Sequence, residues 1–304
     1  IRSEQHALRR SAEAAVEPAV QTSGAVEQRS ALRRDGPLPT VPDWRRRIFR
    51  DLSLEYLWPY LNAQMLYGKH MGLRGNVQKL FEQGDPKAIE IKERVDTLFR
   101  EVVEQQLVRA HGVYRYFPAQ ADGNTIVIYD PRDASRVLER LTFPRQPGGQ
   151  YLCLADFVRP VDSGEMDSVA FFVVTCGLGV RALATAYKDA GAYVRSHAIQ
   201  ALAIELAEAY AEKLHQDLRA WWGFPDPPEM TMRDRFQAKY RGLRVSFGYP
   251  ACPDLEDQAK LFALLQPEDI GVQLTEGYMM DPEASVSALV FHHPEADYFR
   301  ADRA

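Results

Sequence analysis

Apolar positions along the chain follow two rhythms. Ile91, Val95, Leu98, Val102 and Leu107 recur at roughly helical spacing, and Asp85-Pro86 ahead of them supplies an N-cap and a proline at the first helical position. Gly112 is expected to end that helix. The same period predicts helices over 54–67 and 256–265, and a long one over 182–222 with a break near Gly191. Elsewhere the pattern turns to β character. Residues 114–117 and 125–129 read as a hairpin turning at Asp122-Gly123. Residues 151–157 and 168–175, rich in aromatic and branched side chains, read as buried strands. Residues 272–279 and 285–291 form two more, with Asp281-Pro282-Glu283 turning between them. Helices and strands mix without βαβ alternation. The expected class is therefore α+β, with helices around a mainly antiparallel sheet, rather than a Rossmann domain.

The first forty residues differ from the rest. They are rich in Ala, Glu, Arg, Ser and Gln, with a short polar helix expected over 4–17 and a linker-like stretch over 21–30. Pro37, Pro39 and Pro42 then stiffen the backbone, and Trp44 is the first large anchor. The division expected is a linker over 1–40 and one packed domain over 41–304. The chain begins at Ile1 rather than methionine, so a piece of a longer polypeptide is expected.

Composition narrows the setting. The net charge of -5 argues against a general nucleic-acid binder, which would carry a basic face. Cys153, Cys176 and Cys252 form no CxxC pair, which fits a reducing compartment, and a cytoplasmic location is expected. No apolar run approaches the ~18 residues of a membrane span, and residues 1–10 lack a signal-peptide core.

Candidate chemistry concentrates in two places. Glu205, Glu208, Glu212 and His215 share one helical face, and Glu212 with His215 makes an ExxH pair. A di-iron bundle needs a second ExxH, which the sequence lacks, so a solvated helix face is favoured over a carboxylate metal enzyme. GxSxG, GxxxxGK[ST], HExxH and GxGxxG patterns are missing, and Gly177-Leu-Gly179 reads as a strand-to-helix turn. The second place is 241–254, where dense Gly and Pro force a defined loop. Arg244 offers a bidentate fork for a carboxylate, and Tyr249 a hydroxyl or flat face. On the residues alone, a structural loop with an exposed arginine is the better account.

Several motifs in order change that balance. Arg244 to Pro250 matches an RxxxGYP pattern, and ACPD follows it. Leu274-Thr275-Glu276, Ala284-Ser285-Val286-Ser287 and His293-Pro294-Glu295-Ala296-Asp297-Tyr298 come next, with Phe299 in place of a final tyrosine. Upstream lie Phe117-Pro118-Ala119, Leu154-Ala155-Asp156-Phe157-Val158, and the helix from Leu206 to His215 with Trp222-Gly223 after it. Over roughly 41–299 the chain resembles the activation domain of cobalamin-dependent methionine synthase.

The resemblance implies a ligand and a reaction. In that family the domain presents S-adenosylmethionine to cobalamin stranded as cobalt(II), while a flavodoxin-type donor supplies one electron. The cofactor and the sulfonium carry the chemistry, so no general acid or base is required. By matching positions, Arg244 holds the ligand's carboxylate and Glu208 its amino group, which removes Glu208 from the solvated face but leaves Glu205 there. The backbone of Val245, Ser246 and Gly248 receives adenine, and Tyr249 lies toward the cobalt. Tyr298 matches a tyrosine near the ligand, or else caps the terminal strand. One position departs from the pattern. A ligand-binding aspartate of the family aligns with Tyr56, leaving Glu55 or Asn62 as substitutes. The DxHxxG signature of the family's cobalamin module is also missing, so cobalamin is expected on a neighbouring module of the same polypeptide. The alternative is a stand-alone, non-catalytic module that senses S-adenosylmethionine or docks to a corrinoid protein.

Overall fold

A computed structural model describes residues 29–301. One antiparallel sheet organises them. Its strands are β1 (Arg47–Leu52), β2 (Arg109–Asp122), β3 (Thr125–Asp130), β4 (Asp133–Thr142), β5 (Asp167–Leu178), β6 (Leu243–Val245) and β9 (Ser285–Phe291), in the order β4-β3-β2-β5-β9-β6, with β1 also pairing with β2. A small hairpin of β7 (Gln273–Leu274) and β8 (Met280–Asp281) stands apart. The expected mix of helices around a mainly antiparallel sheet is the architecture observed.

The sheet is buried on both faces. Along β5 the side chains alternate, as the pleat requires. Ala170, Phe172, Val174 and Cys176 enter one core, and Val169, Phe171 and Val173 the other. The first core is roofed by α1 (Val77–Glu82), α2 (Pro86–Glu104), α3 (Val180–Asp189) and α4 (Tyr193–Trp221). The second lies under α6 (Asp257–Leu265) and the 3-10 turn Leu154–Phe157. A short helix α5 (Met232–Phe236) precedes β6.

α4 approaches the sheet closely because its inner positions are small, including Ala203, Ala207 and Ala211. Fit at one crossing depends on a glycine: a Cβ on Gly112 would sit 2.5 Å from the Tyr210 hydroxyl. Gly112 is thus a strand residue paired with Val174, and not the stop of α2. α2 ends at Glu104, with Asp85 capping its start through the Ala88 N–H.

Three more expectations give way to local chemistry. Residues 54–67 do not make one helix, because Pro59 cannot continue an α-helical ladder. The segment breaks into 3-10 turns at Leu54–Tyr56 and Trp58–Tyr60, followed by a π-helix at Gln64–His70. Residues 151–157 turn rather than extend, because the Asp156 carboxylate accepts the Cys153 N–H and ion-pairs with Arg145. Residues 272–279 pair only at Gln273–Leu274, since Tyr278 adopts φ 57° and closes a turn onto Thr275. The breaks at Gly191, at Asp122-Gly123 and at Gly177-Leu-Gly179 fall where expected, with Gly179 at φ 87° heading α3. The helix expected over 4–17 lies outside the described residues. Of the N-terminal segment, Leu32 packs on the second core and Arg34 ion-pairs with Asp156 at 2.5 Å.

Gly242 sets the path into β6. It holds φ 88°, and a Cβ there would lie 2.4 Å from the Phe291 carbonyl oxygen. Left-handed backbone disfavours alanine by roughly 1–2 kcal/mol before any clash. Gly242→Ala is therefore expected to lower the melting temperature by at least about 2 °C. Gly277→Ala, whose Cβ meets nothing within 4 Å, is expected to leave it unchanged. Equal melting of both variants would contradict this account of the turn.

Candidate functional site

The strand pleat decides where Arg244 points. Its neighbours Leu243 and Val245 enter the second core, so Arg244 faces the opposite side, where α4 runs. There its guanidinium meets Glu212, with Nη2 donating to Oε2 at 3.2 Å. Both side chains are largely buried. Burial opposes the arginine's charge, but Glu212, Tyr298, Tyr240 and Glu208 outweigh it and hold the guanidinium charged more firmly than usual.

Three groups complete the surroundings. Glu208, one turn before Glu212 on α4, is half-buried and close enough for its charge to act on Arg244. Tyr298 donates from its hydroxyl to the Arg244 carbonyl at 3.0 Å, and Tyr240 lies beside it. Burial of the Tyr298 hydroxyl raises its pKa, while Arg244 pulls the other way. The residue as a whole is 45% exposed.

Beneath this layer lies a second. His215 is fully buried, and Tyr240 meets it edge-on with ring centroids 4.9 Å apart. The Arg219 guanidinium lies 4.0 Å from the Tyr240 ring centroid and forms two 2.7 Å bonds to Asp226. Burial would raise the Asp226 pKa, but Arg219 and Arg235 outweigh it and hold the carboxyl below its usual value. Several polar atoms of these layers are buried with no hydrogen-bond partner among the described residues: Glu212 Oε1, Arg244 Nε, Arg219 Nη1 and both ring nitrogens of His215.

The polar face of α4 is therefore not solvated. Glu205 and Glu212 are each 4% exposed. Glu205 accepts from His70 Nε2 at 2.9 Å, and Gln216 accepts from the Tyr60 hydroxyl at 2.7 Å. The broken segment 54–70 covers this face from one side and the Tyr240–Arg244 stretch from the other. Among the described residues no three His, Cys, Asp or Glu side chains gather as metal ligands.

The loop after β6 is firmly built. The Ser246 hydroxyl donates to the Ser287 carbonyl at 2.7 Å. Gly248 holds φ 92° and its N–H donates to the Cys252 carbonyl, while Tyr249 bridges to Cys252. Val245 sends its side chain into the second core, so only its backbone is open to a ligand. β6 is also the last strand of its sheet, with no further strand along its outer edge among the described residues.

Other sequence candidates sit on the broken segment 54–70. Tyr56 is 67% exposed on its 3-10 turn. Glu55 is engaged by the Ser53 hydroxyl, and the Asn62 side-chain oxygen accepts the Met65 N–H. A separate groove is lined by Asp51, Ser53, Gln106 and Arg109.

With this geometry fixed, comparison with known proteins is informative. The profile of the vitamin B12-dependent methionine synthase activation domain matches residues 53–304. The chain belongs to that family. Methionine synthase of Mycobacterium tuberculosis is 36% identical over 293 residues, covering 90% of this chain and 24% of that protein. Methionine synthase of Mycobacterium leprae is 36% identical over 300 residues, with the same two coverages. The chain thus spans about a quarter of the length of the curated relatives it matches. The crystal structure of the MetH reactivation domain bound to AdoHcy aligns with a TM-score of 0.83 at 29% identity, over 89% of this chain and 85% of that one.

Sequence reading named Arg244, Glu208 and Tyr298, and the fold brings them together. It did not name Glu212, Tyr240 or Arg219 as part of this site. Glu212 had a legible signal, lying four residues beyond Glu208 on one helical face. Tyr240 and Arg219 carried none, because their contacts depend on tertiary packing.

Buried His215 gives the site a pH signature. Burial, with Arg219 and Arg244 adding to it, lowers its pKa well below 6.5. The unfolded chain therefore takes up the proton first, and stability falls as pH drops below about 6.5, by at most ~1.4 kcal/mol per unit. His293, also lowered chiefly by burial, acts in the same direction. His215→Gln is expected to flatten the decline in melting temperature between pH 7 and pH 5.5 by about half. Parallel declines in the two proteins would mean that His215 protonates within the folded state.

Proposed function

We propose that this chain is the S-adenosylmethionine-binding reactivation module of a cobalamin-dependent methionine synthase, the enzyme that methylates homocysteine in methionine biosynthesis. The observation carrying this reading is the ion cluster at the sheet edge, where Arg244 pairs with Glu212 and half-buried Glu208 lies near enough for its charge to act on the guanidinium. The ligand's amino-acid end carries one carboxylate and one ammonium. Arg244 receives the carboxylate as a charge-assisted fork. Glu208 receives the ammonium, since its carboxylate is half-buried beside Arg244. Glu208, Glu212 and Arg244 together sum to one negative charge, which complements a ligand whose sulfonium leaves it with one net positive charge.

The backbone of Val245, Ser246 and Gly248 receives adenine, and Tyr249 lies on the side toward the cobalt. The AdoHcy bound by the structural relative supports this ligand class, because AdoHcy is what remains when the sulfonium gives up its methyl.

Cobalamin, held by a neighbouring module of the same polypeptide, would supply the methyl-accepting cobalt, with a flavodoxin-type donor as the source of one electron. This chain's residues bind and orient the methyl donor, and no proton need move at Arg244, Glu208 or Tyr298. The C–S bonding electrons stay on sulfur, so the departing ligand is a neutral thioether. Catalysis here is a matter of positioning. The module comprises residues 41–304 and is preceded by a linker over 1–40, whose last residues dock through Leu32 and Arg34. The setting is cytoplasmic. No helix of the described residues is long and apolar enough to cross a membrane.

Calorimetric titration of the purified chain with S-adenosylmethionine tests this reading. One-to-one binding is expected. A hydrogen bond to a charged group contributes roughly 1.5–3 kcal/mol, so Arg244→Ala is expected to weaken binding by about tenfold to a hundredfold. Unchanged affinity in that variant would move the ligand to another part of the chain.

A further inference from the structure

We infer that Glu212 is a positioning residue: it fixes the Arg244 guanidinium in the orientation that receives the ligand's carboxylate, and does not itself touch the ligand. This inference rests on the reading of the site given above. Three observations carry it.

The first is geometric. Glu212 Oε2 lies 3.2 Å from Arg244 Nη2, while its other oxygen, Oε1, is out of reach of solvent and has no hydrogen-bond partner among the described residues. A carboxylate turned inward in this way is badly placed to meet a ligand arriving from the open side, where Glu208 stands half-buried.

The second is electrostatic. A buried carboxylate persists only beside a compensating cation. Arg219, the next cation down, is already engaged by two bonds to Asp226 and by the Tyr240 ring. The charge of Glu212 is therefore matched by Arg244. The third is conformational. An arginine side chain is long and rotamer-rich, and a planar carboxylate is gripped best by a fork already held in plane. Here β6 fixes the backbone, Tyr298 holds the Arg244 carbonyl, and Glu212 restrains the head group. The two carboxylates on α4 thus divide the work: Glu208 receives the ligand's ammonium, and Glu212 orients its counterpart.

Calorimetry separates these roles when two ligands are used: S-adenosylmethionine, and an analogue in which hydrogen replaces the amino group. Glu212→Gln keeps size and removes charge. It is expected to weaken both ligands about tenfold, because the carboxylate contact through Arg244 is common to them. In the Arg244→Ala background, adding Glu212→Gln is expected to change affinity by less than about twofold, since the group it positions is gone. Loss confined to S-adenosylmethionine would overturn the proposal by making Glu212 a direct ammonium partner. A full further tenfold loss in the Arg244→Ala background would overturn it equally. If the parent protein does not bind S-adenosylmethionine, or Arg244→Ala leaves binding intact, the reading of the site has failed. Orientation of Arg244 is then decided on the ligand-free protein by NMR. The Arg244 Nε–H signal is expected to be resolved and slow to exchange in the parent chain, and to shift and exchange quickly in Glu212→Gln. An unchanged signal would overturn the proposal without any ligand.

Discussion

The ion pair between Arg244 and Glu212 joins the edge strand of the sheet to the helix that roofs it. It forms because two periodicities coincide. The pleat turns Arg244 away from the core occupied by Leu243 and Val245, and the helical repeat places Glu212 opposite it. A charge pair in such a place is a weak source of stability, since desolvation offsets much of the attraction. What it supplies is definition: a guanidinium and two carboxylates held at the end of a sheet, beside a rigid loop. The turn at Gly242, the Tyr298 hydroxyl on the Arg244 carbonyl, and the layer of His215 and Arg219 surround that one contact.

Rigidity suits the chemistry. Under the proposed function, a module that delivers a methyl group to a cofactor held elsewhere needs no acid, base or nucleophile of its own. On that reading the buried polar layers under Arg244 act as a support for the proposed binding groups. The loop after β6 follows the same logic. Ser246 is tied to β9 and Gly248 to Cys252, so the backbone offered to a ligand is fixed beforehand. Preorganisation of this kind raises affinity by removing the ordering cost at the moment of binding.

The sequence made the architecture legible where local signals were strong. Asp85-Pro86, the Gly191 break and the β9 run were all read correctly because capping, glycine and alternation act locally. It misled where tertiary packing overrode pattern. Glu205, Glu212 and His215 look like a wet helix face, yet the broken segment around Pro59 and the strand bearing Arg244 cover them. β1 and β4 went unread because an arginine-rich strand and a largely exposed edge strand lack the alternation that marks a half-buried one. Arg244, Glu208 and Tyr298 were named as ligand groups through motifs rather than through periodicity. What no motif conveyed was that Tyr298 grips the backbone of Arg244, a contact between residues 54 positions apart.

A crystal structure of this chain with AdoHcy bound tests the central claim most directly. The account predicts the ligand's carboxylate on Arg244, its amino group on Glu208, and adenine against the backbone of Val245 to Gly248, with Glu212 still paired to Arg244. Density in the groove lined by Asp51, Ser53, Gln106 and Arg109, or a ligand at the sheet edge that makes no contact with Arg244, would contradict it.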